Sequence, residues 1–438
     1  MKSLSTKATS IKPSGIRKFF DLANTMEGVI SLGVGEPDFA TPWHICENAI
    51  HYMSTGHTHY TANRGLLELR KEICKFHKEH YNQTYDPESE VIVTIGGSEA
   101  IDLCMRALLN PGDEVIVLDP NYVAYAPSVT LSDGVVVPLQ LKEENDFKII
   151  PEDLKKVITP KTKAMIINYP SNPTGGVMTY EDYAKLVDII KESGIYVVSD
   201  EIYAELSFDQ PFASLAQFDE IKSQIIVVNG FSKAYAMTGW RLGYCMANKE
   251  LSSVMNKIHQ YVIMSAPVMS QYAGIEAIKN GYDDVLMMKD DYLKRRNFLV
   301  KTFNEMGLKT FTPQGAFYVF PCIKSTGLTS EQFCEELLND QLVACVPGSA
   351  FGEAGEGYIR VSYAYSLEEL KAATKKIKKF TEYLEDGNYE KFPSDILLGQ
   401  KGAFVILDEN LRMIYQSKSD MPKRFTEEEL FFVNELDK

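Results

Sequence analysis

No apolar run in this 438-residue chain approaches the roughly 20 residues that span a bilayer. The first ten residues, Met1 to Ser10, are polar and lack an apolar signal core, so no secretory signal is expected. The seven cysteines are scattered, odd in number and without a CxxC pair, which argues against a disulfide framework. They point to free, mostly packed thiols in a reducing cytoplasm. The seven histidines are also scattered. His57-Thr-His59 would place two imidazoles on one face of a strand, but no Cys or carboxylate cluster supports them. We therefore read them as polar residues before a loop and expect no metal. An excess of basic residues is missing too. The formal net charge of -15 argues against a nucleic-acid partner, because phosphates need neutralising Lys and Arg. Internal repeats and low-complexity tracts are absent as well.

What is present is an alternation of element types. The spacing predicts strands at Val91–Thr94, Val115–Leu118, Val135–Leu139, Ala164–Tyr169, Ile195–Ser199, Gln224–Val228 and Gly243–Met246. Most are β-branched runs without in/out alternation, as expected for strands buried on both faces. Amphipathic stretches such as Ser98–Leu109, Pro151–Ile158 and Thr179–Ser193 lie between several of them. Pro151 followed by acids, and Thr179 followed by Glu181 and Asp182, read as helix starts. Such a chain builds a mostly parallel sheet with helices on both faces, and its ligands sit at the carboxyl ends of the strands. Residues 249–310 read as long helices. Thr312–Ile323, Leu342–Pro347 and Gly357–Tyr363 read as strands of a smaller α+β domain, closed by a helix at Leu367–Leu384. Beyond Glu385, Ala403–Leu407 and Met413–Gln416 suggest a hairpin around Asp408-Glu-Asn410, with an acidic helix at Thr426–Leu436.

The most informative stretch is Gly230-Phe-Ser-Lys-Ala-Tyr-Ala-Met-Thr-Gly-Trp-Arg-Leu-Gly243. It follows a predicted buried strand, so Lys233 sits at a strand's carboxyl end. Small and apolar neighbours would desolvate its amine, lowering the pKa and favouring the neutral nucleophile that imine formation needs. Arg241 offers a fixed cation for a phosphate. Gly96-Gly97-Ser98-Glu99-Ala100 joins a strand to a helix, and helix N-termini carry unpaired N–H groups suited to phosphate.

These stretches resemble class I aminotransferases, pyridoxal-phosphate (PLP) enzymes of fold type I and of the aspartate aminotransferase-like family. The resemblance runs from about Gly15 to Leu384. It implies an α/β fold: a large three-layer domain with a mostly parallel seven-stranded sheet, and a smaller α+β domain. The implied division is an arm at 1–47 joining the small domain, a PLP-binding domain at 48–285, a small domain at 286–385 and an extension at 386–438. The implied reaction is ping-pong transfer of an amino group between an L-amino acid and a 2-oxo acid. Lys233 would be both the Schiff-base residue and the proton carrier.

Further roles follow by the same resemblance. Asp200, in Val197-Val-Ser-Asp-Glu-Ile-Tyr203, would pair with the pyridine nitrogen. Tyr203 and Asn172, the latter in Asn168-Tyr-Pro-Ser-Asn-Pro-Thr-Gly175, would bond the ring's phenolic oxygen. The amides of Gly97, Ser98 and Glu99, with Ser232 and Arg241, would hold the phosphate. Gly230 stands where relatives often carry a hydroxyl residue, so one phosphate contact is open. Tyr122 would stack on the ring. Tyr60 would reach the phosphate of a neighbouring subunit, which implies a homodimer with shared active sites. Arg360, in Gly357-Tyr-Ile-Arg-Val-Ser-Tyr363, would grip the substrate α-carboxylate, with Asn172 beside it and Gly35, in Leu32-Gly-Val-Gly-Glu-Pro-Asp38, on the arm that closes over it.

Two alternatives share these motifs: a C–S β-lyase on the same scaffold, and a non-catalytic PLP-binding sensor. Nothing basic or helix-turn-helix-like precedes the arm to favour a sensor. Arg64, on the same loop as Tyr60, is a candidate for binding an acidic substrate side chain. Met264, Ser265 and Ala266 are candidates for an apolar pocket wall. Glutamate is a plausible amino donor, with aromatic or aliphatic partners.

Overall fold

A computed structural model describes residues 2–11, 26–385, 405–407 and 413–416. Its centre is a seven-stranded sheet. The strands are β2 (Val91–Thr94), β3 (Glu114–Asp119), β4 (Val135–Gln140), β5 (Thr162–Asn168), β6 (Tyr196–Asp200), β7 (Ile225–Gly230) and β8 (Gly243–Met246), in the spatial order β2-β8-β7-β6-β5-β3-β4. Only β8 runs antiparallel to its neighbours β2 and β7. Burial explains the unalternating apolar runs. Val197, Ile225 and Val227 feed one core, while Val198, Ile226 and Val228 feed another on the opposite face. Both sets are fully buried, which is why these runs do not alternate with polar residues.

β4 departs from that pattern. It pairs only with β3 and is largely solvent-accessible, with Val135 exposed. Pro138 is accommodated there because an edge strand can lose one N–H donor. Helix starts follow local chemistry. Thr179 Oγ1 accepts from the Asp182 amide at 3.1 Å while the Asp182 carboxylate accepts from the Thr179 amide at 3.2 Å, a reciprocal cap on the helix Tyr180–Ser193. Pro151 opens the helix Pro151–Val157.

A second core gathers around a small antiparallel sheet of β9 (Tyr318–Val319), β11 (Val346–Pro347) and β12 (Ile359–Ser362), ordered β11-β12-β9. The helices Tyr282–Glu305, Ser330–Gln341 and Leu367–Glu385 cover it, contributing Phe303, Leu337 and Ile377. The arm joins here. β1 (Ile30–Ser31) pairs in parallel with β10 (Val343–Ala344), and Leu32 is part of this core, whereas Ile45 packs in the first.

The long strand expected over Thr312–Ile323 is only two residues, Tyr318–Val319. Gln314 and Gly315 donate to the Gly175 carbonyl, and Ala316 donates to Leu206, so the preceding segment docks on the large sheet's loops instead. His57 and His59 lie in a turn after the helix Trp43–Ser54, not on a strand, and His57 packs edge-on against Tyr52 at 5.1 Å. Val405–Leu407 and Met413–Gln416 form the expected antiparallel pair. The intervening turn and the helix expected at Thr426–Leu436 lie outside the described residues. Among those residues no helix is long and apolar enough to cross a membrane, and no cluster is placed to hold a metal ion. All seven cysteines are free.

Candidate active site

The carboxyl ends of β3, β5, β6 and β7 converge on a cavity of about 380 Å³ where the two cores meet. Its lining includes Gly35, Gly97, Ser98, Tyr122, Asn172 and Asp200. Tyr203, Ser232, Lys233, Arg241 and Arg360 complete the set of motif residues brought together there.

Lys233 follows β7 by three residues. Its Nζ donates to the Gly35 carbonyl at 2.7 Å and lies 5.9 Å from the Phe317 ring centre. Burial pushes the amine down to about 8, with the Arg360 and Arg241 cations adding to the effect. A neutral amine is therefore accessible near physiological pH, as a nucleophile or proton acceptor requires.

Asp200 ends β6. Its Oδ2 accepts from the Tyr125 hydroxyl at 2.7 Å and its Oδ1 from the Ile202 amide at 3.1 Å. Burial pushes the carboxyl up to about 6, opposed by those two donors and by the Lys233 cation. Such a carboxylate is poised to hold a cation. Asn168, ending β5, braces this strand end by donating to the Asp200 carbonyl at 2.9 Å and accepting from the Asn172 amide at 3.0 Å.

Arg360 on β12 is 3% exposed. One guanidinium nitrogen donates to Asn172 Oδ1 at 2.9 Å, and another donates to the Gly33 carbonyl. Its Nε is buried without a partner, an orphan donor whose desolvation needs an incoming acceptor. The Tyr318 and Phe351 rings lie 4.5 and 4.8 Å from the guanidinium and hold its plane. An anion with planar oxygens matches this fork.

At the other end, the β2 strand turns through Gly96 into the helix Gly96–Leu108. Gly96 has φ +72°, and a Cβ there would lie 3.0 Å from an Arg241 guanidinium nitrogen. Glycine thus permits both the turn and the approach of Arg241. Gly243 is needed for a similar reason, because its Cβ would stand 2.6 Å from the Gly96 carbonyl carbon. The result is a set of helix N–H groups beside a guanidinium, a cradle for a phosphate.

Not every motif residue joins the cavity. Tyr60 is 84% exposed and lines no part of it within this chain. The Glu99 side chain turns away to the Ile95 amide and His259. Arg64, a candidate for an acidic substrate side chain, lines no part of the cavity within the described residues: one guanidinium nitrogen donates to Ser252 Oγ at 2.6 Å and toward the Val91 carbonyl, and burial lowers its pKa. Met264, Ser265 and Ala266 are likewise absent from the lining.

The motifs overlooked Tyr125 and Tyr318. Tyr125 lies three residues past Tyr122 at the start of the helix Tyr125–Leu131, and that proximity to Tyr122 is the local signal. Tyr318 had none, because its role depends on a contact between residues 115 positions apart: its hydroxyl is 2.8 Å from that of Tyr203.

Comparison with known proteins accords with this geometry. The profile of the family described as aminotransferase class I and II matches residues 27–377. The chain belongs to that family. It is 50% identical over 377 residues to a putative aminotransferase YugH of Bacillus subtilis, covering 86% of this chain and 98% of that relative. It is 44% identical over 380 residues to an aspartate aminotransferase of Pyrococcus abyssi, with coverage of 86% and 98%. The crystal structure of an aromatic aminotransferase from Pyrococcus horikoshii superposes with a TM-score of 0.81 at 42% identity, over 84% of this chain and 99% of that one. All three are named as aminotransferases, and this aminotransferase shares their fold: a mostly parallel seven-stranded sheet flanked by helices.

Proposed function

We propose that this aminotransferase uses PLP and moves amino groups between an L-amino acid and a 2-oxo acid, with the motif residues in the roles their positions support. The observation that carries the reading is the convergence of Lys233, Asp200 and the orphaned Arg360 Nε on one cavity. The donor set fits the cofactor. Gly97, Ser98, Ser232 and Arg241 would hold its phosphate, Asp200 its ring nitrogen, Tyr203 and Asn172 its phenolic oxygen, and Tyr122 its ring face. When bound, PLP supplies an electron sink conjugated to the substrate α-carbon.

The chain's own residues do the rest. Arg360, backed by Asn172, orients the substrate through its α-carboxylate. Gly35 closes the arm over it, its carbonyl already held by Lys233 Nζ. Lys233, neutral above about pH 8 and within reach of neutrality below it, takes the α-proton and later returns it. Tyr318, its ring 4.5 Å from the Arg360 guanidinium and its hydroxyl 2.8 Å from that of Tyr203, links the carboxylate fork to the ring site.

On substrate, relatives named as aspartate and aromatic aminotransferases support a broad range; glutamate as amino donor is our own reading. Among the described residues, Arg241 and Arg360 are the arginines that line the cavity. We read the active unit as a homodimer. Tyr60 and Tyr261 are 84% and 87% exposed, Val262 is also exposed, and the Tyr60 loop is tied to the same helix end by Asn63 Nδ2, which donates to the Met264 carbonyl. Adjoining exposed aromatics suit a subunit interface. Free thiols throughout support a cytoplasmic setting.

The test is an absorption spectrum of the purified protein before and after adding single amino acids. Loss of the bound cofactor's long-wavelength band, with release of the matching 2-oxo acid, is the expected outcome. A band that never converts would favour the sensor reading. Pyruvate and ammonia release without an oxo-acid acceptor would identify the lyase.

A further inference from the structure

Glu99 presents a difficulty. It follows Ser98 in the turn that faces the phosphate, where a bare carboxylate would repel a phosphate group. Its side chain is only 10% exposed. Oε2 accepts from the Ile95 amide at 2.5 Å, and Oε1 lies 2.6 Å from Nδ1 of His259, which is completely buried. The other ring nitrogen, Nε2, meets the Asn63 carbonyl at 2.9 Å. A carbonyl can only accept, so Nε2 carries a hydrogen. The link from Nδ1 to the carboxylate then also needs one proton, whichever atom holds it. The Glu99–His259 pair is therefore without net charge.

Asn63 closes the circuit. Its side-chain amide donates to the Met264 carbonyl at 2.9 Å, and the Met264 amide donates to the His259 carbonyl at 3.0 Å. Asn63 stands three residues beyond Tyr60. His259 thus touches the phosphate-facing turn through Glu99 and the Tyr60 loop through Asn63.

We propose that His259 is a positioning residue, a buried tether that locks the turn Gly96–Glu99 to the loop bearing Tyr60 and masks the Glu99 charge from the cofactor phosphate. This rests on the PLP reading above. It goes beyond it by joining two phosphate contacts, one within the chain and one reaching across the dimer, in a single hydrogen-bonded unit.

The experiment uses the full-length chain with His259→Gln and Glu99→Gln. Cofactor-free protein is titrated with PLP and followed by absorbance. Each variant is expected to weaken PLP binding about tenfold, and for His259→Gln kcat at saturating PLP changes much less. Combined with Tyr60→Phe, the His259→Gln loss should shrink, because both act on one contact. Full additivity, or unchanged PLP affinity in both variants beside a wild type that binds PLP, would overturn the tether and leave the cofactor reading standing. Hydrogen–deuterium exchange of the cofactor-free chain reads the tether without PLP. Protection of residues 57–66 should fall in both variants, and unchanged protection would overturn it. A wild-type chain that took up no PLP would overturn the cofactor reading, with the exchange result still deciding whether the tether exists.

Discussion

Tyr125 donates its hydroxyl hydrogen to Oδ2 of Asp200 across 2.7 Å, with both residues buried. This bond favours the ionised carboxylate against the cost of burial, which alone would push the carboxyl still higher than about 6. Tyr125 therefore acts through Asp200. Tyr125→Phe is expected to lower kcat/KM about tenfold and to move the acid limb of its pH profile upward. An unchanged profile in a folded variant would remove Tyr125 from this role.

Asp200 has a cost to the fold. Its carboxyl is raised from 3.8 to about 6, so the native state binds the proton more tightly than the unfolded chain does. Cofactor-free protein should lose stability as pH rises through that window, by at most about 3 kcal/mol. Asp200→Asn should raise the melting temperature of cofactor-free protein at pH 7 while abolishing transamination. Thermal melts of both proteins at pH 4 and pH 7 check the sign.

Lys233 is pushed down to about 8, and only its neutral form is nucleophilic. Capture of PLP by the cofactor-free protein should accelerate as pH rises through about 8 and level off above it. Stopped-flow absorbance measures this. Lys233→Ala should bind PLP reversibly without turnover.

Arg360→Ala would leave Asn172 Oδ1 and the Gly33 carbonyl without their donor and the substrate carboxylate without its fork. A loss of about 100-fold or more in kcat/KM is expected, mostly as KM. Arg360→Lys restores charge but not the planar pair of donors, so it should recover little of the loss. Steady-state kinetics on several amino acids would show a common factor, since the α-carboxylate is shared by all.

A chain ending after Asp386 should still bind PLP. Each residue assigned to the cavity precedes that point, as does the family match at 27–377. A truncated chain that folds yet takes up no cofactor would give the extension a direct part in the site.

Much of this protein is legible in one dimension because its chemistry follows strand ends. Asp200, Asn172 and Lys233 stand at or just past β6, β5 and β7, and short runs of β-branched residues mark those strands wherever both faces are buried. The Gly96-Gly97 turn and Arg241 are visible for a similar local reason: backbone geometry and a nearby cation are encoded within a few residues.

Other features came only with the tertiary structure. Arg64 donates to Ser252, 188 positions along the chain and 2.6 Å away, a partner that local pattern does not reveal. Tyr318 meets Tyr203 over 115 positions of sequence, and Gly35 meets Lys233 over 198. The sequence by itself determined the α/β alternation, the family resemblance and the candidate for the reactive amine, because these depend on local pattern and side-chain type. Tertiary structure decided which polar groups are free and which are spent, because a hydrogen-bond partner is chosen by distance in space, and burial sets what leaving a group unpaired would cost.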